Sequence, residues 1–343
     1  MDRKAFLGIG IGLLVILLSI GGWMLHRVWY DRKAPNFTEN IDFYLYPEMT
    51  PAAVCDSLLA TGKVRNTASL KRTLGPLKEF RTGHYTIASS SSSMYVARML
   101  QHGWQTPVQL TLSGSLRTPG VLARKIASQM LADSAAVAAF VSSDDSLRAY
   151  GADCRQLFTL IIPDTYQLFW TASVREIFDR LVKERNAWWT PERQAAAARQ
   201  GLSLQEVSVL ASIVDGETRY VPEQPTIAGV YLNRLHAGMK LQADPTVAYC
   251  FDYKLNRILK KHLDVDSPYN TYRHYGLPPG PISCPPKTCL EAVLYPASHN
   301  YLFFCADPSF NGSHRFAATY SEHLANARAF QKALTERQRA RQQ

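Results

Sequence analysis

Residues 202–218 read LSLQEVSVLASIVDGET and are the most informative stretch of the chain. Ser203 and Glu206 stand at the spacing of a capping box, with Leu202 and Val207 placed as a hydrophobic staple. The apolar residues that follow recur at helical spacing. The stretch therefore predicts a helix that begins next to Ser203 and buries one face.

Two carboxylates end this helix, and helical geometry separates them. At about 100° per residue, Glu217 lies roughly 20° from Leu210, whereas Asp215 lies about 160° from Glu217. If the helix continues through Gly216, Glu217 projects from the apolar face. A carboxylic acid in an apolar cleft has a raised pKa and suits general acid catalysis of glycosidic cleavage. A solvated glutamate, or one paired with Arg219, remains the alternative.

Polar and aromatic segments follow this carboxylate. Residues 222–235 predict a second helix, and GMKLQADPTV at 238–247 predicts a hydrogen-bonding loop. YNTY at 269–272 and GLPPGPI at 276–282 predict a rigid turn. Amides and tyrosines around one acid suit a carbohydrate cleft, although an ordinary capped loop or packed turn is the better explanation of each segment taken alone.

The preceding sequence predicts a small mixed module over 42–112 and a mainly helical part over 113–200. The module contains a strand at Phe43–Tyr46, a helix from Pro51 to Gly62, a strand over Lys78–Ile87, a helix over Met94–Leu100, and a strand at Pro107–Leu112. The serines at 89–93 predict a flexible loop. In the helical part, helices are predicted at Val121–Leu131, Ser134–Phe140, Val174–Trp189 and Pro191–Arg199.

The N-terminus carries 20 uncharged residues at 6–25, FLGIGIGLLVILLSIGGWML. A helix of this length spans roughly 30 Å, the thickness of bilayer hydrocarbon. A cleavable signal peptide is the alternative, but it usually has a shorter apolar core and a small-residue cleavage site. We therefore expect a membrane anchor, with residues 1–5 as a cytoplasmic stub and 26–41 as a linker. The flanking charges are balanced, so orientation rests on the globular part lying after the anchor.

Composition excludes a disordered or collagen-like chain. The 343 residues are 46% hydrophobic and 19% charged, with a net charge of +10. Residues 1–33 hold five basic and two acidic residues, which leaves +7 for the remainder. No basic run with interleaved aromatics indicates nucleic-acid binding, so no nucleic-acid partner is expected. The basic tail at 333–343 predicts a solvated helix end.

The six cysteines and the histidines suggest no metal site. Cysteines 55, 154, 250, 284, 289 and 305 permit disulfides outside the cytoplasm, and buried free thiols fit equally. The Cys284–Cys289 spacing does not match a zinc knuckle. His299 and His323 are expected at the surface or in the core. No metal site is expected.

The motifs ASIVDGET, VYLNRLHAGMKLQADPTVAY, YNTY, GLPPGPI and GSHRF, in this order, resemble those of the endolytic murein transglycosylases of bacterial cell envelopes. The resemblance implies an α+β fold with a single N-terminal transmembrane helix, a LysM-like subdomain over 42–112 and a mixed α/β catalytic domain with its core at 201–332. It also implies a single-pass protein of the bacterial cytoplasmic membrane, with the N-terminus inside and the catalytic part outside.

The implied activity is lytic cleavage of MurNAc–GlcNAc bonds within nascent peptidoglycan strands. The products end in 1,6-anhydro-MurNAc, the reaction would need no cofactor, and it would terminate glycan elongation. By resemblance, the partners are peptidoglycan strands, the cytoplasmic membrane, and peptidoglycan synthases of the elongation or division machinery.

The catalytic glutamate of the family aligns with Glu217. Substrate contacts are expected, by the same resemblance, from Asn233, Gln242, Asp244, Thr246, Asn270, Tyr272 and His314. The chain departs from the family at Asp215 and Gly216, where a second Glu and a Lys are common. It departs again at residues 283–286, SCPP, where a bridge between Cys284 and Cys289 is an open possibility.

Two other functions remain compatible with the sequence. One is a hydrolase that uses Glu217 together with Asp244 as a second carboxylate. The other is a non-catalytic envelope scaffold that binds glycan through residues 42–112.

Overall fold

The computed structural model of the protein describes residues 3–340. The chain forms two compact units, one of Met1–Gln109 with Gln167–Thr171 and one of Leu110–Tyr166 with Ala172–Gln343. Helices and strands are mixed, as the predicted α+β class requires. Residues 1–2 of the predicted stub and 341–343 of the predicted tail lie outside the described residues.

The first unit begins with a long helix and continues as a strand–helix–helix–strand arrangement followed by a further helix. Its elements are α1 (Arg3–Lys33), β1 (Ile41–Leu45), α2 (Pro51–Ala60), α3 (Thr67–Leu74), β2 (Gly83–Ile87) and α4 (Ser93–His102). Strands β1 and β2 pair antiparallel, from Ile41 opposite Ile87 to Leu45 opposite Gly83. Alternate residues of β1 are buried against the helices.

Helix α1 contains the apolar segment predicted at 6–25. Its Gly10–Lys33 part is long and apolar enough to cross a membrane, a property it shares with signal sequences. The predicted linker over 26–41 is wrong in two respects: residues 26–33 continue α1, and Asn36 and Phe37 are fully buried. Asn36 donates to the Asn66 carbonyl and to Ser93 Oγ, so this segment belongs to the packed unit.

Two further features of the first unit differ from prediction. Helix α3 was not anticipated, because only Leu70 and Leu74 give it an apolar pattern. The serine run is not a flexible loop: Ser92 caps α4 by accepting from the Tyr95 amide at 3.2 Å, and Ser93 is fully buried. Hydroxyls that cap helices and satisfy buried groups make such a run structural.

The second unit is mainly helical. Its helices are α5 (Pro119–Ala127), α6 (Ser134–Val141), α7 (Asp144–Arg148), α8 (Val174–Trp188), α9 (Pro191–Arg199), α10 (Leu204–Glu217), α11 (Gln224–His236), α12 (Asp244–Cys250), α13 (Lys287–Leu294) and α14 (Tyr320–Ala340). Strands β3 (Val108–Thr111) and β4 (Thr165–Leu168) pair with each other, and β5 (Phe303–Ala306) pairs antiparallel with β6 (His314–Ala317). Helices α5, α6, α8 and α9 confirm the four predicted in this part of the chain.

Helix α10 forms the centre of the second unit. The capping box is present: Ser203 Oγ accepts from the Glu206 amide, and the Glu206 carboxylate accepts from the Ser203 amide at 2.8 Å. Every residue from Val207 to Val214 is buried, and α10 packs against α11 and α13. Burying each large apolar side chain stabilises the fold by about 1.5–3 kcal/mol. This packing holds the C-terminal end of α10 in a fixed position.

Candidate active site

Glu217 is the last residue of α10, so the helix does continue through Gly216. A Cβ atom on Gly216 would lie 2.5 Å from Pro245 Cβ. The absence of a side chain therefore allows the start of α12 to approach the end of α10. This close approach brings the carboxylate-bearing ends of both helices together.

The carboxyl group of Glu217 is bound by a tyrosine on α11. Tyr231 Oη donates a hydrogen bond to Glu217 Oε1 at 2.6 Å, and Tyr231 is 1% exposed. Phe304 packs edge-on against the Tyr231 ring at 5.9 Å. Burial raises the pKa of Tyr231 well above its usual value, so the phenol remains a donor to the carboxyl group.

The pKa of Glu217 is raised from 4.5 to about 7, and burial is the largest cause of this rise. The Tyr231 hydrogen bond opposes this rise, the negative charge of Asp244 adds to it, and the positive charge of Arg234 opposes it. The side chain is half-buried and lines a cavity, so it remains accessible. An acid whose pKa lies near neutral pH can both give and take a proton during one catalytic cycle.

The cavity beside Glu217 has a volume of about 310 Å³. Three predicted contact residues, Gln242, Asp244 and Tyr272, line it together with Glu217. Its other lining residues are Tyr231, Arg234, Leu241, Phe303, Phe304, Tyr320 and His323. The structure thus brings together polar groups of the 242–244 and 269–272 motifs and an aromatic wall from β5 and α14.

Asp244 and Tyr272 form a second hydrogen-bonded pair in the cavity. Tyr272 Oη donates to Asp244 Oδ1 at 2.6 Å. Burial, followed by this hydrogen bond, raises the pKa of Tyr272. The pair gives the cavity a second carboxylate in addition to Glu217, and its oxygen is oriented by the phenol.

Arg234 joins two walls of the cavity and was not predicted as a site residue. Its Nε donates to the Leu302 carbonyl at 2.6 Å, and its Nη1 donates to the Leu241 carbonyl at 2.7 Å. The side chain is 8% exposed, and burial lowers its pKa. Arg234 lies three residues after Tyr231, on the same face of α11. This spacing is the sequence signal that could have identified Arg234 as a site residue.

Two of the predicted contact residues, Thr246 and Asn270, are fully buried outside the cavity lining. Asn270 Nδ2 donates to two backbone carbonyls at 2.8 Å each, and Asn270 Oδ1 accepts from the Tyr272 amide at 3.0 Å. Thr246 Oγ1 donates to the Ala243 carbonyl at 2.7 Å. Both side chains hold the loops that carry Asp244 and Tyr272.

Asn233 and His314 also lie outside the cavity lining. Asn233 Nδ2 donates to the carbonyls of His299 and Tyr301, on the segment that leads into β5. His314 Nδ1 lies 2.9 Å from Glu223 Oε2, and its backbone amide donates to the other oxygen of Glu223. These contacts fasten the β5–β6 hairpin to α11.

Asp215 does not share the cavity, as helical geometry predicted. It accepts a hydrogen bond from Ser283 at 3.3 Å, and burial raises its pKa. All six cysteines are free thiols, so the possible bridge between Cys284 and Cys289 is absent from the described residues. Asp215 therefore holds the 283–286 segment through a hydrogen bond to a side chain.

The residues that were missed come from segments distant in sequence. Phe303 and Phe304 belong to the short β5–β6 hairpin, and the Asn311–Gly312 pair between its strands was the sequence signal that could have located it. Tyr320 and His323 lie at the start of α14, and the His323 ring stacks on Phe303 at 5.4 Å.

Comparisons with known proteins agree on one family. Residues 43–329 match the model of the YceG-like family. The chain is 35% identical over 151 residues to the endolytic murein transglycosylase of Bacillus subtilis, covering 44% of this chain and 41% of that protein. It is 25% identical over 279 residues to the protein of the same name from Streptococcus pneumoniae serotype 2, covering 72% and 50% respectively.

The chain thus spans about half the length of these curated relatives. Among solved structures, a yceG-like protein from Listeria monocytogenes superposes with a TM-score of 0.55 at 24% identity, covering 84% of this chain and 98% of that one. This similarity concerns the fold.

Proposed function

The chain belongs to the YceG-like family, and from that premise we propose that it is an endolytic lytic transglycosylase of peptidoglycan. Its substrate is the MurNAc–GlcNAc bond inside nascent glycan strands, and its product carries a 1,6-anhydro-MurNAc end. The observation that carries this proposal is Glu217, with its raised pKa, in a cavity lined by aromatic and hydrogen-bonding side chains.

Glu217 acts as acid and then as base. In its protonated form it gives its proton to the glycosidic oxygen, and the bond from that oxygen to C1 of MurNAc breaks. The resulting carboxylate then takes the proton from the C6 hydroxyl of the same sugar, whose oxygen closes on C1. Because the nucleophile is intramolecular, one carboxyl group suffices. Tyr231 orients the carboxyl group in both protonation states.

Gln242, Asp244 and Tyr272 are assigned to substrate contacts, because they line the cavity with Glu217. Thr246 and Asn270 position those loops through their buried hydrogen bonds. Asn233 and His314 fix the hairpin that supplies the aromatic wall.

A hydrolase is the second candidate, and one observation favours it: Asp244 places a second carboxylate in the same cavity. In that reaction Asp244 would assist attack by water at C1. The products differ in mass, because a hydrolysed MurNAc end is heavier by one water than an anhydro end.

The location proposed is the bacterial cytoplasmic membrane, with α1 as a single-pass anchor and the catalytic unit on the outer side. The length and apolar composition of α1 support this. The strand–helix–helix–strand order of β1, α2, α3 and β2 supports a LysM-like, glycan-binding role for the first unit. Synthases of the elongation or division machinery are the proposed protein partners, through which cleavage would terminate strand growth.

Digestion of purified peptidoglycan tests the proposal. The wild-type protein is expected to release anhydro-ended fragments, and E217Q is expected to release none, because the amide cannot donate a proton to the leaving oxygen. E206Q is the matched control, since it makes the same chemical change at the capping end of α10. Undiminished cleavage by E217Q would overturn the assignment.

A further inference from the structure

Arg234 has a hydrogen-bond donor that the protein does not use. Its Nε and Nη1 are occupied by the Leu302 and Leu241 carbonyls, whereas Nη2 has no partner among residues 3–340. The side chain is 8% exposed and lines the cavity beside Glu217. Arginine carries five N–H donors, and those on Nη2 are therefore available to an acceptor on a ligand in the cavity.

The surroundings of Arg234 favour a neutral acceptor with an apolar substituent. Asp244 lines the same cavity, and its carboxylate would repel an anion. The guanidinium lies 5.3 Å from the centre of the Phe303 ring, so an apolar surface adjoins the free donor. A carbonyl group attached to a methyl group matches both features.

Gln242 supplies a complementary group in the lining of the same cavity. It is exposed, its side-chain amide has no partner among the described residues, and it follows Leu241, whose carbonyl binds Arg234. Its φ of +50° lies in the left-handed region, which favours glycine. Strained positions of this kind cluster at functional sites, which suggests that the Gln242 side chain has a use there.

We infer that Arg234 and Gln242 bind the acetamido group of an N-acetylated amino sugar, an inference that rests on the proposed glycan substrate. The carbonyl oxygen accepts from Arg234 Nη2, the amide N–H donates to Gln242 Oε1, and the methyl group packs against Phe303. A trans amide presents its C=O and N–H in opposite directions. This suits a donor and an acceptor that two different residues of the cavity lining supply.

Binding to two sugar probes tests the inference without requiring cleavage. The full chain carrying E217Q is titrated, in detergent, with oligomers of N-acetylglucosamine and of glucosamine of equal length, below the amine pKa. The acetylated oligomer is expected to bind about 10- to 100-fold more tightly, because the amine lacks both the carbonyl acceptor for Arg234 and the methyl group that packs against Phe303.

Two added substitutions identify the residues. Q242E is expected to reduce the preference by about tenfold, because its carboxylate pairs with the ammonium group of glucosamine. R234K is expected to reduce it as well, because lysine lacks the second N–H branch. The exposed Q338E on α14 introduces the same charge away from the cavity and should leave the preference unchanged.

Equal binding of the two oligomers, or a preference that Q242E leaves unchanged, would overturn the inference. Thermal melting would show whether R234K is folded. If it is not, the binding preference of the Q242E variant alone tests the inference. Peptidoglycan digestion by the chain without E217Q is measured separately. Cleavage without acetamido preference refutes the inference alone, whereas preference without cleavage refutes the proposed function alone.

Discussion

Replacing Tyr231 by phenylalanine removes the one hydrogen bond that the described residues donate to the Glu217 carboxyl group. That bond is 2.6 Å long and lowers the pKa of Glu217, against the larger opposing effect of burial. A hydrogen bond to a charged group contributes about 1.5–3 kcal/mol, which corresponds to about one to two pH units. Y231F should therefore raise the pKa of Glu217 above its value of about 7.

The assay is the pH dependence of kcat/KM for peptidoglycan cleavage. The first step needs protonated Glu217, so wild-type activity should fall as pH rises through about 7. In Y231F this descending limb should move to higher pH by about one to two units, while kcat falls because the carboxyl group loses its orientation.

The matched control is Y85F in the first unit, which removes a buried phenol that donates to the Arg81 carbonyl at 2.5 Å. Y85F should lower the melting temperature without moving the descending limb. A limb that Y231F leaves in place would refute the argument that Tyr231 sets the pKa of Glu217.

Three further predictions concern stability and loop placement. Because its folded-state pKa is raised from 4.5 to about 7, Glu217 should contribute stability below pH 4.5 that is lost as pH rises through 7. At pH 8 the free energy of unfolding of E217Q, measured with urea, should therefore exceed that of the wild type by about 1–3 kcal/mol. Equal free energies of unfolding at pH 8 would contradict this prediction. G216A should lower the free energy of unfolding by about 1–3 kcal/mol in the same assay, because the added Cβ would clash with Pro245. An unchanged free energy of unfolding would argue against the close approach of α10 and α12. N270A should lower the free energy of unfolding by about 1–3 kcal/mol, and it should lower kcat because the Tyr272 amide loses its hydrogen bond. An unaltered kcat would show that the 269–272 segment keeps its position without that contact.

The local elements of this protein could be predicted from sequence because their signals are local. The capping box at Ser203 and the apolar spacing after it fix α10, and the proline at 51 and glycine at 103 mark helix ends. The separation of Glu217 from Asp215 follows from helical geometry alone. For these elements, the interactions that select the conformation lie within a few residues.

The cavity could be predicted only in part, because its other side chains are placed by long-range contacts. Arg234 acquires its position from the Leu302 carbonyl, which lies 68 residues away in the chain. The motif residues Thr246 and Asn270 were grouped with contact residues because sequence spacing does not distinguish a side chain that lines a cavity from one that braces its loop. The buried segment at Asn36 was interpreted as a linker, because the residues it binds, Asn66 and Ser93, come much later in the chain.

The central claim is that one carboxyl group, on Glu217, serves a reaction whose nucleophile belongs to the sugar itself. The most direct measurement is mass spectrometry of peptidoglycan fragments produced by the wild-type chain in water enriched in heavy oxygen. The new MurNAc ends are expected to be lighter by one water than reducing ends and free of the isotope. Reducing ends that carry the heavy oxygen would contradict it and assign the cavity, with Asp244, to hydrolysis.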